Sequence, residues 1–302
     1  MELERQTLGI LGLGLIGASV AAALRERNIP VTIVGHDQSA YAADRALELG
    51  YVDWVAESPT DLCEQCDLVV LAIPVLSTQA VFEQLADCLA TGNTVVTDVG
   101  SVKRVVVSAA EAVFGEVPDW LVPGHPIAGS EFSGVDAARP DLFLNHQVIL
   151  TPDHHTRPNA LALVSKLWQA IDAQVEIMTV ARHDEVLAAT SHLPHLLAFT
   201  LVDSLAQESD KYEIFQHAAG GFRDFTRIAA SDPTMWHDIF LSNDAATLDV
   251  LDRYMTHLQH VREALAERDG DTLYSVFSRA KKARDHFSRV LEERHSSTTQ
   301  VD

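Results

Sequence analysis

The sequence predicts two domains: a doubly wound α/β sheet over residues 1–179 and an all-α domain over residues 180–302. The chain has 302 residues and is 47% hydrophobic, which is enough for two cores. Up to residue 179, short β-type runs alternate with helical patterns, as in a mostly parallel sheet covered by helices. No strand pattern returns after residue 179, so the second domain is expected to be helical.

The first elements surround a glycine-rich turn. An apolar strand beginning near Leu8 runs into the sequence GLGLIG, and an alanine-rich helix follows over residues 18–27. Gly12 suits a tight turn, Gly14 lets backbone amides approach a pyrophosphate, and Gly17 allows the helix to pack closely on the strand. This arrangement predicts a Rossmann-type dinucleotide site, and the alternative is a tight turn in an unrelated α/β protein.

An acidic residue after the second strand indicates which dinucleotide binds. The strand at residues 31–34 ends near Asp37, twenty residues beyond Gly17. A carboxylate there accepts hydrogen bonds from ribose hydroxyls and repels a 2′-phosphate, which favours NAD over NADP. The amides of Leu15 and Ile16, at the positive end of the first helix, are expected to face the phosphates.

The alternation continues through the rest of the first domain. Further strands are predicted at residues 67–72, 94–98, 121–122, 147–151 and 174–178, with helices between them such as 76–89 and 102–114.

The helical half contains two apolar segments. Residues 193–205 are apolar almost all round, so this helix is expected to be buried on several sides. A second stripe recurs at helical spacing and comprises Leu248, Leu251, Met255, Leu258, Val261 and Leu265. Core packing is the favoured interpretation of the stripe, and a subunit interface is the alternative. Together the two segments predict a helical domain that forms a homodimer.

Composition narrows the class of protein. A net charge of −21 argues against nucleic acids and anionic membranes as partners. The N-terminus lacks the basic and apolar regions of a signal peptide, and no apolar run approaches the length of a membrane span, so we expect a cytoplasmic protein. The three cysteines predict reduced thiols, and His192 and His195 lack an evident third ligand, so no metal is expected.

The best candidate for proton transfer is His125. Residues 97–103 and 122–131 each follow a predicted strand, where ligands bind in open α/β sheets. His125 lies there in a loop bounded by glycine and proline. An imidazole beside a nicotinamide can remove a hydroxyl proton while a hydride leaves the same carbon. The alternative is a structural histidine, since the chain has 14.

The helical half supplies a second group of candidates in the segments SHLPH (residues 191–195) and residues 219–227, followed by Trp236. Pro194 is expected to kink its helix towards a cleft. Arg227 can grip a carboxylate with two hydrogen bonds, and local pairing with an acid such as Asp224 is the alternative.

In combination, the segments GLGLIGAS, DVGSVK, GHPIAGSE, SHLPH and GGFRDFTRIAASDPTMW resemble the prephenate and arogenate dehydrogenase family of tyrosine biosynthesis. The resemblance runs from about Thr7 to the last helices. Members of that family oxidise the ring carbinol of a cyclohexadienyl substrate with NAD(P) and release the ring carboxylate as CO₂. The SHLPH segment resembles prephenate-using members, and arogenate or dual use is the alternative.

The resemblance also implies roles for individual residues. His125 would be the base, with Ser101 hydrogen-bonded nearby. Arg227 would hold a substrate carboxylate, and His195 would lie at the side-chain or hydroxyl end of the substrate. The residues implied to line the pocket are Ser130, Glu131, Ser191, Gly220 and Trp236, the last contributed by the partner subunit.

Two other functions remain as alternatives. A β-hydroxyacid dehydrogenase typically uses a lysine of the helical domain, but Lys211, Lys281 and Lys282 lie in neither a strand-end nor a glycine-rich setting. A non-catalytic NAD-binding sensor would not need both His125 and Arg227, and both are present.

Overall fold

The computed structural model describes residue 3 and residues 6–130, 132–209 and 211–298. In this part of the chain, the main sheet has six parallel strands in the order β3-β2-β1-β4-β5-β6. They are β1 Thr7–Leu11, β2 Thr32–His36, β3 Trp54–Val55, β4 Leu68–Leu71, β5 Val95–Asp98 and β6 Leu121–Val122. This order confirms the predicted doubly wound Rossmann-type domain.

Helices cover both faces of the sheet: α1 Leu15–Glu26, α2 Ala40–Glu48, α3 Pro59–Gln65, α4 Thr78–Thr91, α5 Lys103–Phe114 and α6 Pro158–Gln169. Side chains of β4 alternate between the two faces. Leu68 and Val70 belong to the same core as residues of α1 and α6, whereas Val69 and Leu71 pack with residues of α3 and α4. Burial on both faces explains why the strand is a continuous apolar run.

A second, three-stranded sheet is formed by β7 Gly124–Pro126, β8 Gln147–Leu150 and β9 Gln174–Ile177. β7 and β8 are antiparallel, and β8 and β9 are parallel. The strands predicted at residues 147–151 and 174–178 therefore exist, but they do not extend the main sheet. The position of His125 also differs from the prediction. His125 lies in β7, where it pairs with Ile149 of β8, instead of lying in a loop.

The remainder is helical, as predicted: α7 Val180–Leu187, α8 Leu193–Ala206, α9 Lys211–Gln216, α10 Gly220–Thr226, α11 Pro233–Ser242, α12 Asp244–Glu267 and α13 Gly270–Thr298. A π-helical turn, Ala188–His192, joins α7 to α8. Pro194 follows this turn, at the second residue of α8. The π turn is the irregular feature of this helical run, and the expected kink at Pro194 stays a prediction.

The burial predicted for α8 is wrong within this chain. Leu193 and Ala198 are its buried residues, whereas Leu201 is 37% exposed. Helical packing in the single chain therefore covers only part of an apolar surface.

Among the described residues, the helical run Val180–Ala206 is long and apolar enough, by length and composition alone, to cross a membrane. This differs from the expectation that no apolar run approaches the length of a membrane span. His183 and Asp184 in its first turns are buried, and Asp184 accepts hydrogen bonds from the first backbone amides of α5. These polar contacts anchor the run to the sheet domain, so we interpret it as a packed helix with an open apolar face.

The apolar stripe of α12 is also exposed within the chain. Leu248, Met255, Leu258 and Leu265 are each more than half exposed, at 55%, 56%, 53% and 60%. Core packing within this chain, the favoured interpretation, is therefore wrong, and the subunit-interface alternative remains.

Packing divides the chain into two compact units, residues 1–244 and 245–302. The predicted domain boundary at residue 179 is a boundary in sequence pattern, and it stays a prediction.

Candidate active site

The glycine-rich segment that runs from β1 into α1 has no room for side chains at two of its three glycines. Gly12 has a φ of +99°, and a Cβ there would lie 2.2 Å from the carbonyl oxygen of Ala72. A Cβ on Gly17 would lie 2.0 Å from the carbonyl oxygen of Gly12. At Gly14 a Cβ would meet no atom within 4 Å, so the backbone borders open space. The loop therefore has the shape that admits a phosphate group.

Asp37 lies directly after β2 and beside this loop. Its carboxylate accepts hydrogen bonds from the backbone N–H groups of Leu13 at 2.7 Å and Ser39 at 2.8 Å. Leu15 and Ile16 form the start of α1, and no described side chain caps that helix. Their amides are therefore available to an anion. These residues fit the pyrophosphate and ribose of a dinucleotide.

His125 is connected to a chain of buried hydrogen bonds. Its Nδ1 lies 2.8 Å from Nε2 of His183, and Nδ1 of His183 lies 2.7 Å from Oδ1 of Asp184. The two oxygens of Asp184 also accept the backbone N–H groups of Lys103 and Arg104, each at 2.9 Å. Asp184 thus caps the N-terminus of α5 and holds His183 at the same time.

The positions of the protons follow from this geometry. Burial alone would raise the pKa of the Asp184 carboxyl, but hydrogen bonds from His183 and from the backbone of α5 keep its pKa below the usual range. An ionised Asp184 only accepts, so Nδ1 of His183 carries the proton. Burial lowers the pKa of His183 despite Asp184, so its ring is neutral and its Nε2 accepts a hydrogen bond from Nδ1–H of His125.

The remaining nitrogen of His125, Nε2, therefore carries a lone pair. Burial, and after it the neighbouring groups His183, Lys103 and His192, lowers the pKa of His125 well below the ordinary value. The ring is neutral at neutral pH, and its Nε2 can accept a proton.

A buried ion pair fixes the residue before this histidine. Lys103 is fully buried, and its ammonium group pairs with Asp98 and donates to the carbonyl oxygen of Gly124 at 2.6 Å. The carboxylate of Asp98 accepts the N–H of Gly124 at 3.1 Å. Burial lowers the pKa of Lys103, and the charge of Asp98 opposes that shift. Both backbone groups of Gly124 are thus held by the pair.

A second cluster surrounds His195. Its ring stacks on Trp236, with centroids 3.7 Å apart and planes inclined by 22°. Its Nδ1–H donates to the carbonyl oxygen of Ser191 at 2.9 Å, which leaves Nε2 as an acceptor. Burial lowers the pKa of His195, and the positive charge of Arg227 contributes to the shift, which places Arg227 near this ring. Trp236 meets His195 of its own chain, and its expected contribution across the dimer stays a prediction.

Other predicted residues lie in the loops after the strands. Ser101 is half-buried between β5 and α5. Ser130 lies in the loop after β7, where its hydroxyl accepts the backbone N–H of Phe132 at 3.2 Å. Glu131 lies outside the described residues.

The glycine and arginine candidates lie around α10. Gly220 is the exposed first residue of this helix. Nε of Arg223 lies 3.7 Å from Oδ1 of Asp224, so these two side chains form a local ion pair. Arg227 follows the helix in a 3₁₀ turn.

Two family models match nearly the whole chain. One, described as the nucleotide-binding domain of prephenate dehydrogenase, matches residues 20–177, and the other, its dimerization domain, matches residues 179–279. The chain belongs to the prephenate dehydrogenase family. This confirms the resemblance found in the sequence and the predicted pairing of a Rossmann-type domain with a helical one.

Curated relatives agree with the assignment to the prephenate dehydrogenase family. A cyclohexadienyl dehydrogenase of Zymomonas mobilis is 40% identical over 92% of this chain and 94% of its own length. A prephenate dehydrogenase of Bacillus subtilis is 37% identical over 94% of this chain and 77% of its own.

Solved structures of the family have the same fold. Prephenate dehydrogenase from Aquifex aeolicus, in complex with hydroxyphenyl propionate and NAD⁺, is 35% identical with a TM-score of 0.88, over 95% of this chain and 100% of that one. Arogenate dehydrogenase from Synechocystis is 27% identical with a TM-score of 0.77, over 93% and 99%.

Sequence reasoning missed several members of the site. Asp98 and Lys103 stood in the segment that follows β5, but their chemistry was not recognised. The adjacent pair His183 and Asp184 had no signal beyond being an imidazole next to a carboxylate. Asn243, which links the two clusters, had none at all.

Proposed function

We propose that this chain catalyses the NAD-dependent oxidative decarboxylation of prephenate to 4-hydroxyphenylpyruvate, CO₂ and NADH in tyrosine biosynthesis. The observation that carries the proposal is the hydrogen-bonded series Asp184–His183–His125, which leaves the outer nitrogen of His125 free to accept a proton. His125 follows β6, near the carboxyl ends of the nucleotide-binding sheet, where such folds bind their ligands.

In this mechanism Nε2 of His125 removes the proton of the substrate's ring hydroxyl. Bound NAD supplies the hydride acceptor for the same carbon, and loss of the ring carboxylate as CO₂ completes an aromatic ring. As His125 gains its proton, Nδ1–H continues to donate to His183, whose own proton is held by the Asp184 carboxylate. The negative charge of Asp184 stabilises the imidazolium through two hydrogen bonds.

The glycine loop and Asp37 support the choice of NAD. Gly14 borders open space, Leu15 and Ile16 lie at the uncapped start of α1, and the carboxylate of Asp37 is fixed beside the loop. A 2′-phosphate would meet that negative charge. The related enzyme from Aquifex aeolicus was solved with NAD⁺.

Arg227 is proposed to bind a carboxylate of the substrate. Its positive charge contributes to the lowered pKa of His195, and Nε2 of that ring is an acceptor. In a chain of net charge −21, an arginine at this position is needed to attract an anionic substrate. Ser101 is proposed to orient the substrate or His125. The proposed lining is Ser130, Glu131, Ser191, Gly220 and Trp236.

Cyclohexadienyl dehydrogenase or arogenate dehydrogenase activity is the second candidate, favoured by the Zymomonas mobilis relative at 40% identity. Prephenate and arogenate differ in a keto or an amino group, and Nε2 of His195 can serve either. The test is NADH production with each substrate side by side. We expect a higher kcat/KM with prephenate. Equal values would identify a cyclohexadienyl dehydrogenase, arogenate alone would overturn the substrate, and no NADH with either would favour a non-catalytic NAD-binding protein.

We also propose that the protein acts as a cytoplasmic homodimer. The exposed apolar faces of α8 and α12 support this, as does the dimerization-domain match over residues 179–279. Its other partner would be a small anionic substrate, since the net charge of −21 disfavours nucleic acids.

A further inference from the structure

His192 is a buried imidazole to which the proposed reaction assigns no role. It ends the π turn Ala188–His192 and is 1% exposed. Its ring contacts Trp236 and Phe240 edge to face, with centroid distances of 6.1 and 6.4 Å. Asn243, 6% exposed at the end of α11, reaches it from the other side.

The amide of Asn243 can have only one orientation. Its Nδ2 lies 2.9 Å from the carbonyl oxygen of Asp184 and 3.1 Å from Nδ1 of His192. A carbonyl oxygen only accepts hydrogen bonds, so the atom facing it must be the NH₂ group. The second N–H of that group then donates to Nδ1 of His192. Nδ1 of His192 must therefore carry a lone pair, and the ring proton of His192 lies on Nε2.

The ring is neutral under physiological conditions. Burial lowers its pKa to about 4, the charge of Asp184 acts in the opposite direction, and His183 and His195 lower it further. A neutral ring with its proton on Nε2 presents exactly one N–H donor.

That donor has no acceptor in the described part of the chain, although the Nε2 atom is buried. Trp236, in the same cluster of rings, likewise has a buried Nε1–H without a partner. Buried donors are almost always hydrogen-bonded in folded proteins. Two such donors lie in one cluster of rings, with His195 stacked on Trp236, and both need an acceptor that the described part of the chain does not supply.

We propose that Asn243 is a positioning residue that holds His192 in its Nε2–H tautomer, so that His192 donates a hydrogen bond to an oxygen of the anionic substrate. The inference rests on the proposed function, because it identifies a further substrate contact at the same site. The same NH₂ group of Asn243 bonds both Asp184 and His192. It therefore holds the backbone of Asp184, next to His183, and at the same time fixes the tautomer of His192.

The tautomer is tested directly by NMR of the full-length protein labelled with ¹⁵N-histidine. The wild type should show a protonated Nε2 and an unprotonated Nδ1 for His192, assigned by comparison with His192→Gln. Asn243→Asp replaces the donor with an oxygen of the same shape, so the proton should move to Nδ1. A protonated Nδ1 in the wild type would overturn the assignment, and so would an unchanged tautomer in a folded Asn243→Asp variant.

The donor role is tested by kinetics at His192 itself. His192→Phe keeps a ring but has no N–H, and we expect kcat/KM for the cyclohexadienyl substrate to fall at least tenfold while the Kd of NAD changes less than twofold. The amide nitrogen of glutamine occupies nearly the place of Nε2, so His192→Gln should recover much of the loss. His146→Phe, which changes an exposed histidine outside the site, is the matched control.

Equal losses in His192→Phe and His192→Gln would show that only packing matters and would overturn the donor role, as would wild-type kinetics in His192→Phe. Should the wild type oxidise neither prephenate nor arogenate, the proposed function fails by itself, whereas the NMR measurement still decides what Asn243 does. If Asn243→Asp does not fold, the wild-type spectrum and the pair of His192 variants decide the inference.

Discussion

The free nitrogen of His125 exists because two neighbours determine where the ring protons lie. Asp184 fixes the proton of His183, and His183 in turn fixes the proton of His125. Neither residue needs to touch the substrate. The residue-scale predictions therefore concern the proposed base, His125, and the free-energy cost of keeping buried imidazoles neutral.

Replacing His125 with asparagine should lower turnover by at least about 10³-fold, since the proton acceptor is removed. The Kd of NAD should stay nearly constant, because the glycine loop and Asp37 are untouched. Steady-state kinetics and a fluorescence titration measure the two effects, with His155→Asn at an exposed position as the control. Turnover close to that of the wild type would exclude His125 as the base.

Buried neutral histidines should make the fold sensitive to acid. His192 takes up a proton near pH 4 when folded and near the ordinary value of about 6.5 when unfolded. Between these values the unfolded chain binds more protons, so the free energy of unfolding should decrease as the pH falls, by up to about 3 kcal/mol for this residue. Urea unfolding at pH 7, 6, 5 and 4 measures the slope. His192→Gln should reduce it, and an unchanged slope would contradict the burial argument.

At the scale of elements, the glycine-rich segment from β1 into α1 contains glycines with two different functions. Gly17 allows close packing, and Gly14 borders open space. Gly17→Ala should destabilise the fold, because the new Cβ would lie 2.0 Å from the carbonyl oxygen of Gly12. Gly14→Ala meets no atom within 4 Å, so it should fold normally and instead weaken NAD binding. Thermal unfolding and NAD titration of the two variants provide matched controls for each other. Similar stability losses in both would refute this division.

Local patterns could predict most elements, but not their partners. The spacing of Gly12, Gly14, Gly17 and Asp37 was sufficient for the nucleotide loop, since turn, helix and second strand are neighbours in sequence. The strands at residues 147–151 and 174–178 were found, but their separate sheet depends on pairing with residues 124–126, which alternation does not encode. The π turn at residues 188–192 was not predicted, because only Pro194 is visible in the sequence as an irregular residue and the extra backbone residue of the turn is not.

The site was predictable where chemistry is concentrated in one segment. His125, His195 and Arg227 stood out for this reason, and their roles stay predictions; the charge of Arg227 contributes to the lowered pKa of His195. Lys103 and Asn243 act through contacts with residues far away in the chain, and only the folded structure brings those partners together.

At the scale of the whole molecule, the apolar surfaces predict self-association. Leu201 on α8 is exposed in the single chain, so Leu201→Glu should place a charge in the proposed interface. We expect the wild type to sediment at twice the mass of the 33.0 kDa chain and the variant at that of the monomer. Leu144→Glu, an exposed leucine in a turn outside the helices, is the control. A monomeric wild type would refute the homodimer.

The double role of Asp184 has a consequence for anyone who redesigns this enzyme. The carboxylate that orients the proton relay also completes the first turn of a sheet-covering helix. A substitution of Asp184 that is chosen to change the pKa of His183 or His125 would also remove hydrogen bonds from the first turn of α5. We therefore expect many variants with an altered pH optimum to be less stable. A new cap would have to be introduced first, and the residue before the helix, Val102, is itself a buried core residue.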